Sequence, residues 1–340
     1  MIAGLVSVIM SNYNTDEEYL RVAIESVLNQ TYDNFEFIIV DDCSTNNSVG
    51  VIESYSDKRI KLIKNKENMG LTKSLNVALK VARGEYIARM DADDICLPQR
   101  FEKQVLFLSQ NPEYIVCGTA AEFVGVWQKY NSQKVIYREI PEKDEYRIML
   151  LFENNPNIVH ISAMFNATIM RAYNIEYNEN YKYAQDYRMW VSCSEVAKCA
   201  NLEDVLIQIT VREGTISTSK KEEQEDCVIR IIQEQLDKLH ICLDEESVAI
   251  HLGLLKQRKE YTLNIKKWIE MLISQNKIYN VYNQKILEKL LWEKWSEITY
   301  FGLISDIKIS DKIKMIFDLP IYNWWQLMQI FFERKTKDRG

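Results

Sequence analysis

The sequence predicts an α/β fold, in which a mostly parallel sheet is covered by helices and followed by a helical C-terminal region. Three observations support this prediction. Short apolar segments alternate with segments of helical periodicity over about the first 110 residues. The pattern then becomes mixed, and from about residue 220 it is helical almost throughout. The chain of 340 residues, 47% of them hydrophobic, is also long enough to bury a large core and a second domain.

The chain opens with strands and helices in alternation. The apolar run Leu5–Met10 predicts a buried parallel strand, and Thr15 followed by Glu18 predicts a capping box at the start of a helix. Phe35–Val40 predicts a second buried strand, and Ile60–Ile63 predicts a third. This order is typical of a parallel sheet, because the intervening helix returns the chain to the edge where the first strand began.

The same alternation continues to residue 112. We expect Thr72 to cap a helix whose end is marked by Gly84 in the left-handed position. Glu85–Met90 predicts a fourth strand, and Pro98 fits the first turn of the helix that follows.

The domain boundaries follow from the change of pattern further along the chain. Strands expected near residues 161–170 and 202–211, with a helix near 184–197, indicate that the α/β domain continues into the mixed region. We therefore expect a first domain at residues 1–218, with halves at 1–112 and 113–218, and a helical C-terminal domain at residues 219–340.

Composition and charge exclude several classes of protein. The 42 basic and 49 acidic residues give a net charge of −7, which argues against a nucleic-acid backbone as the main partner. Seven scattered cysteines with no C-x-x-C pair indicate reduced thiols rather than a disulfide framework. The apolar start of the chain lacks a basic region and is too short for a signal peptide or a membrane span, so we expect a cytoplasmic protein.

Two of the predicted strands end in clusters of carboxylates. Asp41 and Asp42 follow the second strand, and Asp91, Asp93 and Asp94 follow the fourth. Ligands of an open parallel sheet bind beyond the carboxyl ends of its strands, so both clusters should line one crevice. Carboxylates spaced by one residue can hold Mg²⁺ or Mn²⁺ with positions left for phosphate oxygens. Asp after a strand also forms turns and helix caps, and one cluster alone does not distinguish these uses.

At these strand ends the chain resembles the family-2 inverting nucleotide-sugar glycosyltransferases, over roughly residues 4–218. The matching segments occur in the family's order and are Ser7–Asn14, Ser26–Tyr32, Ile39–Ser44, Asn68–Leu71, Ala82–Ile87 and Met90–Asp94. Cys43 stands where relatives commonly carry Gly or Asn. The resemblance implies a GT-A fold, with a nucleotide-binding half at 1–112 and an acceptor half at 113–218.

The resemblance also implies a donor site that needs Mn²⁺ or Mg²⁺. Tyr13 and Asp42 would hold the uracil end of a nucleotide, by stacking and by hydrogen bonding respectively. Asp91-Ala92-Asp93 matches the metal-binding D-x-D motif, with Asp93 the first choice for the direct ligand and Asp91 nearer the ribose. The implied nucleotide-sugar site comprises Ser11, Tyr13, Asn14, Asp42, Asn68, Lys73, Asp91, Ala92, His160 and Arg212.

The acceptor half supplies a candidate base. The segment Tyr183–Trp190 resembles the family's E/Q-D-Y-x-x-W pattern, in which the Asp removes the proton from the acceptor hydroxyl, so Asp186 is the implied general base. Without the resemblance, Asp186 is explained equally by favourable charge at a helix N-terminus. His160 either faces donor or acceptor or is a satisfied structural residue. Arg212 either meets the diphosphate or forms a surface ion pair, and Glu213 stands where many relatives have His.

The C-terminal region has no comparable motif. Ile321–Phe332 combines aromatic and aliphatic residues and is followed by four basic residues, Arg334, Lys335, Lys337 and Arg339. This composition suits an interfacial helix on an anionic membrane. Because apolar residues occur nearly all round the segment, a core helix or a dimer contact is the other interpretation.

The resemblance implies an inverting, metal-dependent transferase that moves a hexose or N-acetylhexosamine from a UDP-sugar to a hydroxyl. A lipid-linked oligosaccharide of surface polysaccharide synthesis, at the inner face of the cell membrane, is the expected acceptor. The alternative enzyme is a sugar-phosphate nucleotidyltransferase, which the lack of an early Gly-rich phosphate loop with a basic residue disfavours. The alternative outside enzymes is a silent nucleotide- or carbohydrate-binding subunit, which the complete set of acidic residues disfavours.

Overall fold

The computed structural model describes residues 1–125, 134–137, 139–152, 158–211, 220–256 and 262–304. The chain forms two compact units. The first comprises Met1–Lys143 and Asn155–Cys227, and the second comprises Asp144–Asn154 and Val228–Gly340. The division after Cys227 lies nine positions beyond the expected boundary at residue 218 (227 − 218) and falls inside a helix.

The described strands form one mixed sheet. They are β1 (Ile2–Asn12), β2 (Phe35–Asp41), β3 (Ile60–Lys64), β4 (Gly84–Asp91), β5 (Ile95–Cys96), β6 (Tyr114–Gly125), β7 (Lys134–Ile136), β8 (Met164–Asn166) and β9 (Lys198–Val211). Their order is β3-β2-β1-β4-β8-β6-β9-β5, with β7 beside β6. The first four are mutually parallel, whereas β8 runs antiparallel to both β4 and β6. The predicted parallel sheet with a mixed second half is confirmed.

Helices join these strands and form most of the C-terminal region. They are α1 (Glu17–Leu28), α2 (Ser48–Glu53), α3 (Leu71–Val81), α4 (Arg100–Gln110), α5 (Lys143–Phe152), α6 (Ala167–Ala172), α7 (Gln185–Val196), α8 (Lys221–Asp237), α9 (Glu245–Lys256), α10 (Thr262–Tyr279) and α11 (Gln284–Ile304). The buried face of α1 has the helical spacing read from the sequence, and the helix packs on a core formed with β1, β2 and β4.

Helix α1 begins one residue later than the capping box predicted. Its N-cap is Asp16, whose carboxylate accepts a hydrogen bond from the Glu18 N–H at 3.0 Å. Thr15 therefore is not the cap. A carboxylate at the N-cap interacts favourably with the positive end of the helix, which gives Asp16 an advantage over a threonine hydroxyl.

Helix α3 also begins differently from the prediction. Gly70 is its N-cap, with a φ of 87° that is easiest for glycine, and Thr72 lies buried within the first turn. Gly84 is not a helix terminator but the first residue of β4. A Cβ atom there would lie 2.5 Å from the Leu5 carbonyl oxygen, so close approach of β1 is the reason for this glycine.

The strand expected near residues 161–170 is shorter than predicted. A 3₁₀ turn at His160–Ser162 leads into the three residues of β8, and α6 follows at once. Asn166 ends the strand because its side-chain oxygen accepts hydrogen bonds from the N–H groups of Thr168 and Ile169, at 3.0 and 3.3 Å.

The second unit includes Asp144–Asn154, which the sequence pattern assigned to the first domain. Two hydrogen bonds join this segment to other residues of the second unit. Arg147 Nη1 donates to the Val281 carbonyl at 3.0 Å, and His251 Nε2 lies 2.9 Å from the Leu151 carbonyl. Of the helices in the described ranges, none is long and apolar enough to cross a bilayer. The segment Ile321–Phe332 and its basic residues lie outside the described residues.

Candidate active site

The carboxyl ends of three parallel strands place the two acidic segments side by side. β1 lies between β2 and β4, with Asn12 opposite Asp41 on one side and Ser11 opposite Asp91 on the other. Residues from both acidic segments therefore lie at the same edge of the sheet, as expected beyond the carboxyl ends of parallel strands.

Asp41 is used to build the turn after β2. Its carboxylate accepts hydrogen bonds from Asn12 Nδ2 at 2.7 Å, from the Ser44 N–H at 3.0 Å and from the Ser44 hydroxyl at 2.6 Å. Asn12 also donates to the Ser48 hydroxyl at 3.0 Å. For Asp41 the turn interpretation of the acidic segment is correct.

Asp42 connects β2 to the start of α3. Its Oδ1 accepts hydrogen bonds from Asn65 Nδ2 at 2.8 Å and from the Met69 N–H at 2.9 Å, and its Oδ2 accepts from the Gly70 N–H at 2.7 Å. The residue is buried. Since a carboxylate offers about four acceptor positions, these three bonds leave room for about one more donor, such as the N–H of a nucleobase.

The loop after β1 contains the predicted residues Tyr13 and Asn14. Tyr13 is 50% exposed. Asn14 has a φ of 50°, and its side-chain oxygen accepts hydrogen bonds from the N–H groups of Thr45 and Asn46, at 2.7 and 3.2 Å. Asn14 thus fastens this loop to the loop after β2.

Cys43 adopts a left-handed backbone conformation, with a φ of 63°. That conformation costs a residue with a Cβ atom roughly 1–2 kcal/mol, and glycine or asparagine tolerates it best. The backbone therefore explains why Gly or Asn is expected at this position.

The remaining donor-site residues differ in their surroundings. Ser11 is partly buried within β1, beside Asp91. Asn68, in the loop before α3, and Lys73, in the first turn of that helix, are both exposed. Arg212, like Glu213 beside it, lies outside the described residues.

The acidic segment after β4 forms a group of three carboxylates. Ligand oxygens of Asp91, Asp93 and Asp94 lie within 4.8 Å of one another, while Ala92 between them is buried. The Thr210 N–H donates to Asp94 Oδ1 at 2.7 Å. Burial, and then the charge of Asp91, raises the pKa of Asp94 to about 7. A group of hard oxygen ligands at this spacing fits Mg²⁺ or Mn²⁺.

Sequence reasoning missed Arg89, which lies on β4 two residues before this group. The side chain is buried and its guanidinium is ion-paired with the Asp91 carboxylate. Burial works against the charged form, but Asp91 holds the pKa of Arg89 above its ordinary value. The signal available in the sequence was a charged residue inside a strand that was predicted to be buried.

Asp186 occupies the first turn of α7 and is partly buried. Its Oδ1 accepts a hydrogen bond from the Tyr187 N–H at 2.7 Å. Burial raises the pKa of Asp186, and the hydrogen bonds and the positive charge of Arg89 offset part of that rise. A carboxylate with a raised pKa is a stronger base than an ordinary one and is typical of acid–base catalysis.

His160 lies in an aromatic cluster with Phe165, Tyr177 and Trp190. Its Nε2 is 2.8 Å from the Tyr177 hydroxyl, and its ring meets Trp190 edge to face at 6.0 Å. Trp190 stacks on Phe165. Burial, and then Arg89, lowers the pKa of His160 well below its ordinary value, so the ring is neutral at pH 7. These contacts favour the structural interpretation of His160.

Comparison with known proteins shows the family of this chain. The model of the family described as Glycosyl transferase family 2 matches residues 7–181. An uncharacterized glycosyltransferase of Haemophilus influenzae is 29% identical over 325 residues, covering 93% of each chain. The Escherichia coli protein named UDP-Glc:alpha-D-GlcNAc-diphosphoundecaprenol beta-1,3-glucosyltransferase WfgD is 27% identical over 263 residues, covering 76% of this chain and 96% of its own.

Two solved structures share the fold. TarS 1–349 of S. aureus in complex with UDP-GlcNAc has a TM-score of 0.58 at 21% identity, over 88% of this chain and 86% of that one. The mannosyltransferase PcManGT of Pyrobaculum calidifontis, in complex with GDP-Man and Mn²⁺, has a TM-score of 0.51 at 14% identity, over 94% and 87% of the two chains.

Proposed function

The chain belongs to glycosyl transferase family 2 and has the GT-A fold, and we propose that it is an inverting, metal-dependent hexosyltransferase that uses a UDP-sugar. The acceptor we propose is a hydroxyl of a lipid-linked oligosaccharide in surface polysaccharide synthesis, at the cytoplasmic face of the membrane. The main support is one observation: three carboxylates lie within 4.8 Å of one another at the end of a central parallel strand.

The donor would bind across the ends of β1 and β2. The exposed ring of Tyr13 would stack on the base, and Asp42 would accept a hydrogen bond from it. A UDP-sugar is favoured because the name of WfgD specifies UDP-Glc and the TarS complex contains UDP-GlcNAc. The transferred sugar that we propose is a hexose or an N-acetylhexosamine.

The acidic group after β4 would hold the divalent cation, with Asp93 as the direct ligand and Asp91 nearer the ribose. A cation bound there supplies positive charge against the diphosphate as it departs. The ligand oxygens of the three carboxylates already lie within 4.8 Å of one another, so small side-chain movements would bring them to one ion. The PcManGT complex, which contains Mn²⁺, supports the choice of Mn²⁺ or Mg²⁺.

Asp186 would remove the proton from the acceptor hydroxyl. The acceptor oxygen then bonds to the anomeric carbon as the bond from that carbon to the phosphate oxygen breaks, and UDP departs with the bonding electrons. Attack from the face opposite UDP converts an α-linked donor into a β-glycoside. The name of WfgD, a beta-1,3-glucosyltransferase that uses UDP-Glc, supports this stereochemistry.

The full chain should be tested for UDP release from a panel of UDP-sugars with Mn²⁺, with and without a lipid-linked saccharide acceptor. We expect acceptor-dependent UDP release, and Asp186→Asn should lower it by about 10²–10⁴-fold while UDP still binds. Asp204→Asn, a matched change at an exposed carboxylate on β9, is the control. A rate for Asp186→Asn above about a tenth of wild type would exclude Asp186 as the base.

The same assay separates the alternatives. A sugar-phosphate nucleotidyltransferase would release pyrophosphate from UTP and a sugar phosphate, and it would not transfer sugar from a UDP-sugar. A silent binding subunit would bind UDP or saccharide and release nothing. Either result would overturn the transferase proposal.

A further inference from the structure

Two arginines are fully buried beside each other in the first unit, and the structure accounts for them differently. Arg89 is 2% exposed and Arg100 is 0% exposed. A buried guanidinium is costly unless its charge and its N–H groups are matched. The hydrogen bonds made by each side chain therefore indicate what that arginine is for.

The N–H groups of Arg100 are matched by groups of the fold itself. Its Nε donates to Gln104 Oε1 at 3.0 Å, and its Nη2 donates to the carbonyl oxygens of Arg89 and Ala163 at 2.9 and 3.1 Å. These bonds join α4, β4 and the residue before β8. Arg100 is a structural arginine.

Arg89 is not matched in this way. Its Nη1 is ion-paired with the Asp91 carboxylate, but among the described residues its buried Nε has no hydrogen-bond acceptor. Asp91 is 31% exposed and so is partly hydrated without the arginine. The stability of the fold therefore gains little from Arg89, and an apolar side chain of similar length would fill the same space at lower cost.

The backbone of Arg89 is fixed from both sides. Its N–H donates to the Ala163 carbonyl at 2.9 Å, and its own carbonyl accepts the bond from Arg100. Burial has the largest effect on the pKa of Asp94, of His160 and of Asp186, and the positive charge of the guanidinium also acts to lower the pKa of each of the three.

We propose that Arg89 is a positioning residue for glycosyl transfer, which rests on the function proposed above: its guanidinium holds the Asp91 carboxylate in one orientation and places a positive charge beside the acidic group. Two effects follow. Asp91 keeps one oxygen directed away from Arg89, toward the donor. The charge also weakens the attraction of the three carboxylates for a cation, since like charges this close repel.

The test compares Arg89→Met, Arg89→Lys and Arg100→Lys in the full-length protein. Titration calorimetry of the EDTA-treated protein with Mn²⁺ alone measures the metal affinity. We expect Arg89→Met to bind Mn²⁺ at least about threefold more tightly than wild type, because a nearby positive charge has gone. Arg89→Lys, which keeps the charge, should return to within about twofold of wild type.

In Arg89→Met the rate should fall while the stability stays close to that of wild type. With donor and acceptor, Arg89→Met should lower kcat by at least about tenfold, because a misplaced site group is costly in rate. In EDTA its unfolding temperature should stay within about 3 °C of wild type. Arg100→Lys should unfold at a lower temperature than Arg89→Met yet bind Mn²⁺ within about twofold of wild type, because it leaves carbonyl acceptors unpaired but keeps the charge.

The outcomes separate this inference from the proposed function. If Arg89→Met binds Mn²⁺ as wild type does, or keeps its kcat, or unfolds at a much lower temperature, Arg89 is structural and the inference fails. If the wild-type protein binds neither Mn²⁺ nor UDP and releases no UDP from any UDP-sugar, the transferase proposal itself fails.

Discussion

The acidic segments after β2 and β4 resemble each other in the sequence, but the fold uses their carboxylates in different ways. Asp41 and Asp42 are buried and accept hydrogen bonds from backbone N–H groups and side chains of their own and neighbouring loops. Asp91, Asp93 and Asp94 instead bring ligand oxygens within 4.8 Å of one another. A carboxylate that is already surrounded by donors shapes a loop, whereas neighbouring carboxylates that repel one another favour a cation.

The largest expected effect is on the second segment. Asp93→Asn should lower metal-dependent transfer by about 10²-fold or more, because a neutral amide attracts a hard cation far less than a carboxylate does. UDP release at increasing Mn²⁺ concentrations measures it. Full wild-type activity in EDTA would contradict the metal assignment.

Asp41→Asn should lower the stability of the protein and leave its metal affinity unchanged. It replaces an acceptor of three hydrogen bonds and puts an amide N–H where Asn12 and Ser44 already donate. We expect a loss of stability of about 1.5–3 kcal/mol, with an Mn²⁺ affinity close to that of wild type. Thermal unfolding and calorimetry would show this. A weakened metal site in a stable Asp41→Asn protein would break the distinction between the two segments.

The pH dependence of kcat tests a third carboxylate, that of Asp186. Because burial raises the pKa of Asp186, its ionised form is lost at a higher pH than that of an ordinary aspartate. A base must be ionised to accept a proton, so kcat should fall as the pH drops through this raised pKa and level off above it. A rate profile over pH 4–9 measures this limb. A flat profile down to pH 4 would exclude Asp186 as the group that titrates.

Ending the chain at Pro320 leaves both acidic segments intact. If the residues beyond it bind an anionic membrane, each basic side chain near the surface contributes about 1 kcal/mol. The full chain should then sediment with anionic vesicles in a salt-sensitive way, and the shortened one should not. Both should transfer sugar equally to a soluble acceptor analogue. Binding of neither protein to vesicles would favour a packing or dimer role.

The smallest expected effect is at Cys43, beside the first segment. Cys43→Gly removes the cost of a left-handed cysteine but gives the unfolded chain more freedom. These terms nearly cancel, so the change in unfolding free energy should be below about 1 kcal/mol. Cys43→Val, which is β-branched, should destabilise the protein more than Cys43→Gly does. Equal stability of the two would contradict the backbone explanation.

The sequence predicted the parallel strands because each is a short apolar run that ends in polar residues. It also predicted that acidic residues from two strands would meet, since this follows from parallel connections alone. It did not separate Asp41 from Asp93, because the difference depends on which N–H groups the loops direct at each carboxylate. It also missed Arg89, since the strand pattern shows that a charge is buried but not what it pairs with. The placement of 144–154 depends on contacts distant in the sequence.

The loop after β1 has a further consequence for how donor preference could change over evolution. Asn12, at the end of β1, is buried and donates hydrogen bonds to Asp41 and Ser48, and Asn14 accepts one from the loop after β2. Tyr13 between them is half exposed. A substitution at Tyr13 would alter the exposed surface of this loop without removing the hydrogen bonds of Asn12 or Asn14. If Tyr13 stacks on the base as proposed, single mutations at this position would change how strongly the donor binds while the rest of the protein tolerates them, and a small library at residue 13 would sample that variation directly.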